Sequence, residues 1–237
     1  GAINVLFLFT YFLEDAYHGL VAFVFSTSNI MMPLFALGVD NAIIKFYSSF
    51  KTPNTVNSFL TLMLFLPLLV IVPVGLIGYF SFDFISGLLS EKNPIIKDYV
   101  WLIFIASISF SYFEIFYSWA KVQMQSVFGN FMKEVFHRIG VMLLFFGIYL
   151  DWLNVEQFIY NVIIIYIIRT VIMMLYAFSV KMPVLKLYKI PNLSSIIKYT
   201  LLIIIAGSVA NIILEIDKFM IGQYIEIEKV AYYSVAI

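Results

Sequence analysis

The sequence predicts an all-α polytopic membrane protein, and three observations carry that expectation. Hydrophobic residues make up 63% of the 237 positions and charged residues only 12%, about half of the roughly 25% charged residues usual in soluble domains. The mean hydropathy of +1.00 implies more apolar surface than a globular domain of this length can hide. The apolar residues also fall in runs of about 20, the length a helix needs to cross the hydrocarbon core of a bilayer. Strands are excluded there because an open sheet cannot satisfy its backbone in lipid.

In chain order the runs predict a truncated span at 2–13 and six complete spans at 20–46, 59–80, 100–120, 131–150, 158–180 and 195–214. An eighth begins near Glu228. The chain therefore reads as a fragment with about eight of twelve or more transmembrane helices. Pro33, Pro67 and Pro73 predict kinks in the second and third spans. The fifth span is the least apolar, its continuous run covering only 139–150. Lys133 with His137 and Glu134 with Arg138 are i,i+4 pairs that predict an amphipathic first turn emerging into water. Between the sixth and seventh spans, residues 181–194 carry Pro183, Pro191 and three lysines, the composition of an exposed linker. Residues 1–191 are accordingly expected to form a first transmembrane bundle and 192–237 to open a second.

Orientation follows from the basic residues. If the N-terminus is cytoplasmic, the inner loops hold Lys45, Lys51, Lys121, Lys133, Arg138, Lys181, Lys186, Lys189 and Lys198. The outer loops then hold only Lys92, Lys97, Lys218 and Lys229. That bias favours a cytoplasmic N-terminus. The acids agree, with Glu14, Asp15, Asp83, Glu91, Asp98, Asp151, Glu156, Glu215, Asp217, Glu226 and Glu228 falling outside and only Glu134 in an inner loop.

Composition also bounds the function. Fourteen basic residues balance fourteen acidic ones, so the basic excess that nucleic-acid binding requires is missing. Cysteine is absent, which removes disulfides and thiolate metal sites. Phosphate-cradling glycine loops, HExxH and G-x-S-x-G are not found, and no enzyme activity or cofactor is expected. His18 and His137 fall on opposite membrane faces, too far apart for one metal site, and both read as interfacial side chains.

The chemistry is expected from three charges inside the spans: Asp40, Glu114 and Arg169. Arginine at the centre of a membrane helix costs about 2.5–3.5 kcal/mol on insertion scales, so it should face a partner or a wet cavity. Glu114 lies sixteen residues beyond Asp98 and Arg169 eleven beyond Phe158, or about 24 and 17 Å along their helices. An ion pair between them is therefore within reach. Such a pair either staples the bundle or marks a site where Arg169 binds an anionic group of the substrate and Glu114 is its resting partner. Asp40, about 30 Å along the second span, reads as a solvated acid at the cytoplasmic end, with Lys45 in the same polar group.

A faint internal repeat is also present. Tyr11-Phe12-Leu13-Glu14 leading to Gly19-Leu20-Val21 has a counterpart in Tyr224-Ile225-Glu226 leading to Ala231-Tyr232-Tyr233. Six spans separate the two links, so both halves would enter the membrane in the same direction, as in transporters built from parallel repeats.

Three stretches resemble the polysaccharide transporter and oligosaccharide flippase family of the multidrug/oligosaccharidyl-lipid/polysaccharide (MOP) exporter superfamily. Leu37-Gly38-Val39-Asp40-Asn41-Ala42-Ile43-Ile44-Lys45-Phe46-Tyr47 resembles the end of the family's second helix. Asp217-Lys218-Phe219-Met220-Ile221-Gly222-Gln223-Tyr224, continuing to Val230-Ala231-Tyr232-Tyr233-Ser234-Val235-Ala236, is similar to the segment joining its seventh and eighth helices. Tyr11 to Glu14 with Gly19 to Val21 resembles the segment joining helices one and two. Ala231 stands where the family usually has glycine.

The resemblance implies a MOP/MATE-like fold of two six-helix bundles working by alternating access in a bacterial or archaeal cytoplasmic membrane. The implied cargo is a polyprenyl-diphosphate-linked oligosaccharide flipped outward for surface polysaccharide assembly, with H⁺ or Na⁺ as coupling ion. Arg169 suits such cargo, since a guanidinium matches phosphate oxygens bidentately. Two alternatives are a cation-coupled multidrug antiporter, for which Glu114 is the cavity acid, and a membrane-embedded glycan polymerase or acyltransferase. The latter normally carries a large outer loop, whereas the longest outer loop here is 81–99.

Overall fold

The computed structural model of the chain describes residues 8–184 and 188–236. Residues 2–7 of the first expected span, and Lys186 with its two neighbours, lie outside the described residues. The described residues form helices and connecting turns: α1 (Thr10–Phe12), α2 (Asp15–Ala36), α3 (Val39–Phe46), α4 (Pro53–Phe65), α5 (Leu68–Phe80), α6 (Phe82–Ser90), α7 (Val100–Lys121), α8 (Ser126–Phe131), α9 (His137–Tyr149), α10 (Val155–Val180), α11 (Leu193–Tyr224) and α12 (Glu228–Ala236). Five segments are long and apolar enough to cross a membrane: Asp15–Ala36, Pro53–Phe80, Pro94–Lys121, Val155–Val180 and Leu193–Tyr224. The fold is that of a multi-pass helical membrane protein.

Three boundaries differ from expectation, each for a local reason. The second span ends at Ala36, not at residue 46, because Leu37 (φ 52) and Gly38 (φ 64) are both left-handed and α3 leaves in a new direction. The expected fifth span is present as a helix, but it is built from α8, a π-helical turn at Met132–Phe136 and α9. Lys133, Glu134 and Arg138 crowd its first half, and it does not qualify as an apolar span. The seventh span runs past residue 214 to Tyr224. Glu215, Asp217 and Lys218, expected in an outer loop, are therefore helical.

Other features follow the sequence. Pro67 separates α4 from α5 while Pro73 lies within α5. Thr52 caps α4, accepting from the Thr55 N–H, with Pro53 in its first turn, where a missing N–H costs nothing. Asn154 and Gln157 form a reciprocal capping box that starts α10.

The middle of the bundle is α7, the most buried of the five spans, which packs on α2, α10 and α3. Its small serines allow close approach, and they stitch the contacts. Ser28 donates to the Ile103 carbonyl at 3.1 Å and Ser111 to Met32 at 2.9 Å, joining α2 to α7. Ser109 donates to the Tyr166 carbonyl and Thr170 to the Ser109 carbonyl, each at 2.9 Å, joining α7 to α10.

Two cores fill the two ends. One, built around Leu20, Phe23, Phe145 and Phe158, lies toward the acidic end, where Glu14, Asp151 and Glu226 sit in the links between helices. The other, built around Ile43, Phe59, Trp119 and Met173, lies toward the lysine-rich end. The stretch before α11 is strapped to the bundle: Thr61 donates to the Val184 carbonyl, Tyr188 N–H to Ser58, and the Trp119 indole to the Lys181 carbonyl. Helix α11 then lies along α2, burying only Ile196, Thr200, Gly222 and Gln223.

Candidate functional site

The buried stripe of α10 includes Val162, Arg169, Met173 and Ala177, spaced to share one helix face. Arg169 is therefore aimed into the bundle by the same periodicity that buries its neighbours, and it is only 7% exposed. Three rings surround the guanidinium. Its carbon lies 4.0 Å from the centroid of Phe113, 4.7 Å from Tyr166 and 5.8 Å from Phe110, within the range of cation–π attraction. On another side, the His137 ring lies 5.3 Å from Tyr166. The Arg169 Nε is buried and makes no hydrogen bond.

The expected ion pair between Arg169 and Glu114 is not formed. Glu114 instead binds Lys133, Nζ to Oε1 at 2.6 Å. Depth is not the obstacle, since both residues are fifteenth in their helices, about 21 Å from the acidic end. Rotation is: Phe110 and Phe113 occupy the face of α7 that meets Arg169, and Glu114 is about 100° further round the helix. The π turn supplies Lys133, which consequently does not pair with His137. The expected Glu134–Arg138 pair is present at 3.0 Å.

Glu114 and Lys133 line a cavity of about 300 Å³ together with Met32, Pro33, Asp40, Asn41 and Asn211. Its walls are the end of α2, the Gly38 turn and α3, the polar side of α7, the π turn, and the middle of α11. Asp40 is here, accepting from the Asn41 amide at 2.9 Å, so it is a cavity residue and not merely a solvated helix end. Lys45 is not. Its ammonium sits 3.7 Å over the Tyr199 ring, docking α3 on α11.

A second polar group lies between α2 and α11 and was not expected. Asn29 donates to Glu215 Oε1 at 3.2 Å, Ser26 donates to the Glu215 carbonyl at 2.7 Å, and Lys218 Nζ stands 2.6 Å from Glu215 Oε2. The i,i+3 spacing of Glu215 and Lys218 was the available signal, since nothing in that stretch breaks a helix. His18, expected at an interface, is 4% exposed, packed 5.0 Å from Phe9 and 3.3 Å from the Ser234 hydroxyl.

The two links of the internal repeat meet. Tyr232 donates to Asp15 at 2.7 Å, and Gly19 packs directly on the Ile227 carbonyl, leaving no room for a Cβ. Helices α2 and α12, which follow the two links, pack on each other.

Together these features define a multi-pass helical membrane protein with a polar cavity and a buried, ring-caged arginine. Compared with protein-family models, with curated proteins and with solved structures, the chain finds no match.

Proposed function

We propose that the chain belongs to a MOP-type transporter that flips a polyprenyl-diphosphate-linked oligosaccharide across the cytoplasmic membrane. The observation that carries this reading is Arg169. A cation so deeply buried, at membrane depth and without an acid bonded to it among the described residues, is an open demand for an anion. A diphosphate answers that demand and fits the planar fork of guanidinium. The aromatic cage offsets part of the desolvation when no anion is bound. The meeting of the two repeated links supports a two-bundle arrangement, with 1–191 in the first bundle and α11 and α12 opening the second. In this reading the acidic end faces outward and the cavity of Asp40, Glu114 and Lys133 lies on the cytoplasmic side.

The test is surface-glycan export by the full-length protein in cells lacking their own flippase, with membrane abundance measured in parallel. Arg169→Ala should abolish export at normal abundance, and Arg169→Lys should impair it, because lysine keeps charge but loses the fork. Normal export by Arg169→Ala would leave the arginine a structural staple and remove the basis of the reading.

A cation-coupled multidrug antiporter is the second reading. The two carboxylates in one cavity, Asp40 and Glu114, favour it. It predicts that Glu114→Gln stops ion-driven efflux of a lipophilic cation, whereas the flippase reading predicts no such efflux in the parent protein.

A further inference from the structure

Helices α11 and α12 are gripped very differently at their two ends. At the acidic end the grip centres on Asn93, in the turn after α6, which is 7% exposed. Its amide donates to the Gly222 and Ile225 carbonyls, each at 2.7 Å, and its oxygen accepts from the Ile227 N–H at 3.0 Å. Both donors and the carbonyl of one side chain are thus spent on the turn that joins α11 to α12, two of them on carbonyls a helix end leaves without intrahelical partners. Gln223 adds a bond to the Leu88 carbonyl at 2.7 Å, and Gly222 packs so closely on the Phe23 ring that a Cβ would not fit.

At the lysine-rich end, three hydrogen bonds fasten the stretch before α11, but α11 itself is held by packing: Ile196 in the core, Lys45 and Phe46 against the Tyr199 ring, and Gly38 against Thr200 and Ile203. Among the described residues no side-chain hydrogen bond joins α3 to α11. The polar cavity lies on this side, walled in part by α3 and α11.

We propose that Asn93 is a latch between the two bundles, a positioning residue that holds the acidic side shut and must release for that side to open. The inference rests on the two-bundle reading but not on the identity of the cargo. At the other end α11 can shift on α3 without breaking a side-chain hydrogen bond between them, whereas opening at Asn93 must break three hydrogen bonds together. The latch therefore sets the balance between the two access states.

The chain has no cysteine, so single-cysteine probes in the full-length protein are clean. Ser26 is 1% exposed and bonds α11 through the Glu215 carbonyl, whereas Ser28 is 0% exposed and faces Ile103 of α7. In Asn93→Ala, a cysteine at Ser26 should react with an impermeant maleimide added outside intact cells about tenfold faster or more. Tenfold corresponds to about 1.4 kcal/mol, within what the lost hydrogen bonds supply. A cysteine at Ser28 should stay protected, because α2 and α7 move as one body. Gln223→Ala, which removes one bond, should give a smaller change in the same direction, and it decides the matter if Asn93→Ala fails to reach the membrane. Unchanged reactivity at Ser26, or equal gains at Ser26 and Ser28, would overturn the latch. Either result stands whatever the export assay says about the cargo, because the labelling is done without it.

Discussion

Gly38 joins a left-handed turn to a close approach of α11. Its φ of +64 lies in the region that side chains adopt at a cost of about 1–2 kcal/mol, and a Cβ there would run into the Ile203 side chain and lie 2.8 Å from the Thr200 carbonyl. Gly38→Ala should lower stability by about 1–3 kcal/mol, read as a drop in Tm of the detergent-purified protein. Gly78→Ala is the control, since its Cβ would meet nothing within 4 Å and a helical alanine is favoured; equal melting of the two variants would contradict the packing described here. Arg169 illustrates what single residues reveal in advance. That it faces inward was legible from the charge itself. That Phe113 and not Glu114 meets it was not, because one residue of difference is about 100° of rotation, and a depth estimate along the helix axis carries no rotational information.

At the scale of elements, the π turn at Met132–Phe136 does what a regular helix would not. One extra residue in the turn shifts the phase between α8 and α9, so Lys133 reaches Glu114 while Glu134 and Arg138 keep their own pair. Deleting Val135 should restore a regular helix and turn α8 by about 100° relative to α9. Cysteines at 114 and 133 should then cross-link through a short bifunctional thiol reagent in the parent and fail to do so in the deletion. Cross-linking that persists would mean the π turn does not set the register. Hydropathy could not foresee this turn, since a π bulge changes hydrogen bonding and not composition. The same blindness explains the other boundaries. Leu37 is apolar, so the run continues through a pair of left-handed residues that stop the helix. Glu215, Asp217 and Lys218 are polar, so the run ends although glutamate and lysine propagate a helix well. Where the signal was chemical and local, as at Pro67 between α4 and α5, sequence and structure agree.

At the scale of the molecule, the ends of the bundle differ in charge and in grip. Lysines 45, 51, 121, 181 and 189 gather at the end that holds the polar cavity, and Glu14, Glu91, Asp151, Glu156 and Glu226 at the end latched by Asn93. Membrane insertion reads that asymmetry, because lysine and arginine near span ends are retained in the cytoplasm. In the proposed flippase, which would load cargo inside, the side where α11 meets α3 by packing alone should face the cytoplasm and the Asn93 side the exterior, so the charge bias and the grip should point the same way. Single cysteines at Lys51 and Lys121 should therefore resist an impermeant reagent applied outside intact cells and react once the cells are opened, while cysteines at Glu91 and Glu156 should react from outside at once. Labelling of position 51 from outside would invert the orientation, put the latch on the cytoplasmic face, and leave the cavity facing the wrong compartment for an outward flippase.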